Sequence, residues 1–591
     1  MRNIFFLILS CFCLLSVHAQ NETSKDHISL AGIWNFKLDP LNISIPVKGS
    51  NFVSRFPEEI TLPGSTDQAG KGFKTQDMSS LRLTRMFEYS GAAWYEKENI
   101  FIPESWKDQQ LFLFLERVHW ESQVWVNGKF VGKEESLSTP HLYDITSYVK
   151  FGDWNTVRIR VDNGNIHDIA YTHAISAETQ TNWNGIIGRM EIQAVSKVHI
   201  ADVQIYPLQK EKRLKIVAQI VNYSNLPVKG DIRINCHFLN DSQDLHLKEK
   251  NTTFDSSDSL IRLVHYYDLG DKLYTWDEFE PNLYEIDYEI KCCGKSDVQK
   301  IKFGIRDFGT KGTHFTINDI PTFIRGAVNS CEFPITGYPP MSYEEWKKVM
   351  KVYKDYGFNC IRFHSWCPPE SAFQVADELG LYLQVENSDW RFTVGEDEAT
   401  NAFYLDEVQR IFKEYGNHPS FAFFCEGNEL VGKDCVNFLK EMLTEWKKDS
   451  RHLYVAASGY PTVEGSDFFD FYGARPQRWQ EGLKGRFNSQ PLNTRYDYID
   501  YVKKFSIPMV THEIGQWCAY PDFNQISKYI GVLKPYNYEL FREDLRNKKM
   551  LDQAHDFHIA SGKFQVLQKK EEFECIDVEE DYLGLELLAI Y

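Results

Sequence analysis

The chain has 591 residues, 43% of them hydrophobic and 25% charged, which is ordinary for a globular protein but too long for one core, so several domains are expected. Its formal net charge of −18, with no Lys/Arg-rich block, excludes nucleic acid and anionic membrane surfaces as partners, because both reward clustered cations. Aromatic residues make up 15%, which suits β-sandwiches and sugar-stacking sites equally.

The chain opens with MRNIFFLILSCFCLLSVHAQ, one Arg followed by an apolar run from Ile4 to Val17. This reads as an export signal cleaved after Ala19, too short for a comfortable membrane span. A lipoprotein signal through Cys11 fits poorly, since that Cys comes very early. No later stretch is apolar for long enough to cross a bilayer, so an exported protein, periplasmic or extracellular, is expected. The remaining cysteines show no metal spacing, and Cys292-Cys293 has no second pair beside it. Cys360 and Cys425 sit in apolar runs and read as buried thiols. Neither a metal nor a cofactor is expected.

From about 28 to 201 the sequence is a series of short apolar or alternating runs broken by Gly, Pro and Asn. LFLFLERV (111–118), QVWVNGKFVG (123–132) and NTVRIRVDN (155–163) read as strands, and Asn127-Gly128 as a hairpin turn. Without a long 3.6-residue period, a β-sandwich is predicted. A second set follows over 202–305, including LKIVAQIVNYS (214–224) and NLYEIDYEIKCC (282–293), and its length suits an immunoglobulin-like sandwich.

After Arg306 strands alternate with helices. Strands are predicted at 322–328, 359–365, 381–387, 420–429, 452–458, 467–473 and 508–515, with helices at 342–357, 370–380 and near 402–415. That alternation implies a parallel sheet covered on its faces. With LGLELLAI (583–590) as an eighth strand, it would be a (β/α)8 TIM barrel over 306–591. Function in such a barrel sits at the C-terminal strand ends, where the fourth strand finishes at Asn428-Glu429 and the seventh at His512-Glu513. Either glutamate alone could be a solvated strand end. Together they match the two carboxyls of a retaining glycosidase, roughly 5–5.5 Å apart. Glu426, three residues earlier on an extended strand, is aimed at the opposite face and reads as structural.

NHPSFAFFCEGNE (417–429) resembles the NHPS…GNE signature of glycoside hydrolase family 2, and PMVTHEIGQW (508–517) resembles that family's nucleophile strand. GIWNF (32–36), LPGSTDQAGKG (62–72), AAWYEKENIFIP (92–103), WVNGKFVG (125–132) and NWNGIIGRMEI (182–192) are similar to its N-terminal sugar-binding jelly roll. The resemblance implies Glu513 as nucleophile, Glu429 as general acid/base, Asn428 on the sugar 2-OH, and Arg362 beside the nucleophile. His364 and Trp366 would bind hydroxyls and a ring face, or simply pack. Trp517 would line the pocket or pack, and Tyr472 would bond the nucleophile carboxylate. Glu386 stands where some relatives hold a metal, which is not expected here, and Glu332 would touch substrate hydroxyls.

The implied substrate is an oligosaccharide or glycan with a terminal sugar, galactose-configured or its analogue L-arabinopyranose. β-Glucuronidase and β-mannosidase specificities remain alternatives. Asn547-Lys548-Lys549 matches the uronate-binding Asn-x-Lys motif by composition, but precedes any eighth strand. The resemblance also implies more chain after 568 than the 23 residues KKEEFECIDVEEDYLGLELLAIY. The barrel is therefore expected to be incomplete at its end, which keeps open a carbohydrate-binding protein on a damaged glycosidase scaffold.

Overall fold

The computed structural model describes residues 26–44, 56–75, 78–240, 245, 247–472, 498, 502–576 and 583–587. The expected export signal lies outside them. No described helix is long and apolar enough to cross a membrane.

The first region forms two facing antiparallel sheets. One joins Asp26–Ser29, Gly185–Ser196, Gln109–His119 and His141–Asp144; the other runs from Lys129–Glu135 through Ala92–Ile102 to Glu58–Leu62. Alternation decides which side chains face inward: Val157, Ile159 and Val161 of Asp153–Asp162 meet Leu113 and Leu115 in the core. Asn127 and Gly128 both have positive φ, 51° and 79°, as a two-residue hairpin turn requires. The second region, Val198 to Phe303, repeats the scheme, with a three-stranded sheet against a four-stranded one around Ile205, Ile216, Ile232 and Tyr288.

The last region is an eight-stranded parallel sheet: β1 (Arg325–Asn329), β2 (Cys360–Phe363), β3 (Tyr382–Asp389), β4 (Phe421–Gly427), β5 (Leu453–Tyr454), β6 (Phe469–Phe471), β7 (Met509–Thr511) and β8 (Leu583–Leu587). Their order is β5-β4-β3-β2-β1-β8-β7-β6. The eighth strand read from the sequence is present, and it pairs with both β7 and β1. Among the described residues no ladder joins β5 to β6. Two bonds bridge that gap instead, Asp467 N to Tyr454 O at 2.7 Å and Tyr454 N to the Asp467 carboxylate at 2.9 Å.

The predicted helices appear as α1 (Tyr343–Asp355), α2 (Glu370–Leu379) and α3 (Glu398–Tyr415). Ser342 and Glu345 form a reciprocal cap on α1, and Asp397 caps α3. Three further helices are α4 (Cys435–Trp446), α5 (Tyr536–Asn547) and α6 (Ala554–Ile576). A small antiparallel sheet, Phe308 to Thr322, also escaped the sequence reading. Its Phe308 and Phe315 pack on Tyr382, Phe423 and Phe468 beneath the strand starts. Cys360 and Cys425 are buried free thiols, as read.

The NHPS segment has a structural explanation. Asn417 pairs with the backbone of Val203 and Ile205 in the second β region, and Pro419 O accepts from Arg306. Ser420 N donates to Asp377, and His418 lies between Asp377 at 2.6 Å and Glu370 at 3.2 Å. Burial alone would lower the His418 pKa, but the two carboxylates outweigh it and raise it to about 10. A raised imidazole pKa stabilises fully below the ordinary value of 6.5 and loses its contribution as pH climbs through 10. His418→Gln is therefore expected to cost about 3 kcal/mol near pH 6. In urea titrations the gap from wild type should narrow steadily towards pH 10; a pH-independent gap would contradict this account.

Candidate active site

Strand ends β2, β3, β4 and β7 converge at one mouth. Gly427 runs so close to β3 that an added Cβ would sit 2.0 Å from Asp389 O, so only glycine fits there. Asn428 N then donates to Asp389 O, and Glu429 N to Ser458 O. Ser365, Glu429 and Glu513 all have left-handed backbone, with φ of 52°, 46° and 52°. Each non-glycine residue in that region costs on the order of 1–3 kcal/mol, and such strain concentrates at functional sites.

Arg362, on β2, is 1% exposed and links all four strand ends. Its Nε donates to Glu386 Oε1 at 2.5 Å, Nη2 to Asn428 Oδ1 at 2.7 Å, and Nη1 to Glu513 Oε1 at 3.3 Å. Nη1 also approaches His512 Nδ1 at 3.5 Å. Glu386 is held in turn by Ser365 N and Ser458 Oγ. Burial pushes its pKa up, but Arg362 and His364 hold it below the usual value. Its two oxygens are committed to Arg362, Ser365 and Ser458.

Glu513 is 5% exposed, with His364 Nε2 2.8 Å from Oε1. Burial would raise its pKa, yet His512, His364 and Arg362 together hold it well below the ordinary carboxylate value. One oxygen each of Glu429 and Glu513 and a ring nitrogen of His512 lie within 4.8 Å of one another. His512 Nε2 is 3.5 Å from both carboxylates. Tyr460 OH donates to Glu429 Oε2 at 3.4 Å, and Gln516 Nε2 to Glu513 Oε2 at 3.3 Å. The buried Asn428 Nδ2 has no partner and can serve a ligand oxygen beside the carboxyl pair.

Glu429, Glu513, Asn428, Arg362 and His364 thus come together as read, and four other expected residues do not. Trp366 is a core residue, 2% exposed and packed by Trp346, Phe363 and Phe333, with its indole N–H on Asn329 O. It is buried because helix α1 lies over it. Tyr472 is 46% exposed and packs edge-on to Tyr460, and it is Tyr460 that reaches a catalytic candidate, Glu429. Trp517 is half-buried and faces α6, where Gln565 donates to its carbonyl. Glu332 is exposed.

Several members were missed. His512 stood in plain view beside Glu513 without a role. His173 comes from the first β region: its ring nitrogen is 3.1 Å from that of His364, and its N–H donates to Ser365 Oγ. Burial and His364 hold it neutral. Glu572 on α6 accepts from Gly515 N at 3.0 Å, with burial pushing its carboxyl up to about 7.

The family description "Glycosyl hydrolases family 2, sugar binding domain" matches residues 28–189, and "Glycosyl hydrolases family 2" matches 198–306. The chain thus carries two regions, one after the other, that match glycosyl hydrolase family 2. The chain is 27% identical to a β-galactosidase of Priestia megaterium, over 60% of this chain and 35% of that protein. It is 24% identical to a putative β-glucuronidase of Formosa agariphila, over 82% and 56%. The chain thus spans less than two thirds of the length of these relatives. Its fold is similar to that of a Ruminococcus gnavus β-glucuronidase in complex with D-glucaro 1,5-lactone, at 18% identity and a TM-score of 0.69, covering 96% and 92% of the two chains.

Beneath the site, Glu426 faces away from Glu429, as its place on the strand implies. Its fully buried carboxyl accepts from Asn387 Nδ2 at 3.3 Å, and burial together with the neighbouring Asp389 carboxylate pushes its pKa well up, which favours the neutral acid. Asp389 is clamped by Arg391 through Nε and Nη2, and its carbonyl fixes Asn428. Glu426→Gln keeps a donor of the same shape, so it should change stability by less than about 1 kcal/mol. Asp389→Asn strands Arg391 and is expected to cost about 3 kcal/mol. Thermal melts of both variants decide this; equal losses would remove the neutral-acid assignment.

Proposed function

We propose that the chain is an exported retaining exo-glycosidase that removes a terminal sugar by double displacement. One observation carries this reading: Glu429 and Glu513 approach within the spacing of a retaining pair, and only Glu513 is surrounded by Arg362, His364 and Gln516. Glu513 attacks the anomeric carbon as the glycosidic C–O bond breaks, and Glu429 gives its proton to the leaving oxygen. In the second step Glu429 takes a proton from water, whose oxygen displaces Glu513 from the sugar. Asn428 Nδ2 donates to the 2-OH, a contact that tightens as positive charge develops on the ring.

The supporting architecture is read as a jelly roll (28–201), an immunoglobulin-like sandwich (202–305) and a (β/α)8 barrel (306–591). The cyclic strand order and the two bonds spanning β5 and β6 support the barrel. The reaction as proposed uses no metal, since Arg362 supplies a fixed positive charge beside Glu513; activity should survive EDTA.

The substrate is read as a neutral, galactose-configured glycoside, in line with the names of several relatives. A uronate would need a free cation. Lys548 of Asn547-Lys548-Lys549 instead caps the exposed C-terminal end of helix α5 and pairs with Asp544. On a panel of nitrophenyl glycosides, the β-galactoside is expected to be cleaved best, with the β-anomer formed first. Glu513→Ala should abolish turnover, and Glu429→Ala should slow it by about 10²–10⁴-fold. Since Glu513 stays ionised well below pH 4.5, the acidic limb of kcat/KM should fall below that pH. Cleavage with inversion would sink the mechanism, and a folded protein inert on the whole panel would sink the enzyme.

A further inference from the structure

A cavity of about 390 Å³ lies where the first β region meets the loop after β3. Most of its wall comes from residues 163–182, with Trp120 from the sandwich and Phe392 from the barrel. The two parts are joined by backbone: Ala170 bridges to Trp390. Its volume suits a small ligand.

The lining is chemically mixed in a particular way. Tyr171 and Phe392, 45% and 50% exposed, offer two ring surfaces and pack edge-on to each other. Asp168, Glu178 and Asn182 add polar groups at the wall. Trp120 is 1% exposed and lies 6.1 Å from each ring of the stacked His167–Phe403 pair, and its buried indole N–H has no partner. A buried donor left unpaired costs about 1–3 kcal/mol, so a ligand oxygen there would be rewarded. Among the described lining residues there is no Lys or Arg, and the acids Asp168 and Glu178 repel anions. Aromatic faces, acceptors and one deep donor together fit an uncharged sugar ring.

The cavity is close to the chemistry. His364 touches Glu513, Trp390 packs on His364 at 4.9 Å between ring centres, and Tyr171 packs on Trp390 at 6.1 Å. We infer that this cavity is a second sugar-binding subsite, holding a neutral residue of the same glycan whose terminal sugar occupies the cleft between Glu429 and Glu513. This rests on the glycosidase reading for the cleft, but the subsite is testable by binding alone. It would give the protein a preference for oligosaccharides over simple glycosides, set by the first β region.

The probe is β-1,4-galactotriose, titrated calorimetrically into the Glu513→Ala protein. Adding Tyr171→Ala, or Trp120→Phe (which keeps the ring and deletes the N–H), is expected to weaken binding at least tenfold. In the otherwise native chain, the same two substitutions should change kcat/KM for 4-nitrophenyl β-galactoside less than twofold, with melting temperatures confirming the fold. Galactotriose that fails to bind, or binds as well in both variants, overturns the subsite. So does an equal loss on the trisaccharide and the nitrophenyl glycoside. Tyr171-dependent binding by a native protein that cleaves no glycoside would uphold the subsite and overturn the hydrolase.

Discussion

The mouth of the sheet is organised around one buried cation. Moving a guanidinium out of water costs several kcal/mol unless its nitrogens are paired, and Arg362 at 1% exposure meets that condition through Glu386, Asn428 and Glu513. These partners sit on or just past β3, β4 and β7. The charge is compensated only when all three strand ends stand at the right height around β2. Displacing any one of them would leave a buried charge unpaired. The same arrangement that keeps Glu513 ionised therefore also fixes where it lies.

The β regions are part of this arrangement rather than appendages. His173 reaches from the first region to brace His364 through a ring contact and Ser365 through its backbone. Helix α3 carries the docking load: Glu407 accepts from Leu137 N, Tyr415 donates to Ser138 O, and Arg410 pairs with Glu134. On the other side Asn417 and Arg451 grip the second region just before β4 and β5 begin. The strand that ends in Glu429 is thus tied to a neighbouring domain at its start and to Arg362 at its end.

The sequence made some of this legible because the signals are local. Alternating runs, the Asn127-Gly128 turn, and two glutamates at the ends of apolar strands each depend on a few neighbouring residues. So does the capped start of α1. Helix α4 was legible too, with Cys435, Leu439, Met442, Leu443 and Trp446 on one buried face, but it lay in a stretch given no assignment. Trp366 and Tyr472 could not be placed, because burial by α1 and packing on Tyr460 depend on distant chain. His173 was beyond reach for the same reason: nothing near it signals a contact 191 positions away.

The two carboxyls of the pair have different surroundings, and that difference is what the proposed double displacement requires. Glu513 meets Arg362, His364 and Gln516, all donors that favour its ionised form. Glu429 is less buried and meets a phenol, Tyr460, and the imidazole of His512, which it shares with Glu513. In the proposed double displacement Glu513 becomes an ester of the sugar, and its negative charge disappears from one side of His512. The imidazole is then left to the Glu429 side, at the moment when Glu429 must hold negative charge and draw a proton from water. A shared histidine between an acid/base and a nucleophile would in this way couple the charge of one to the bonding state of the other, with no group needing to move far.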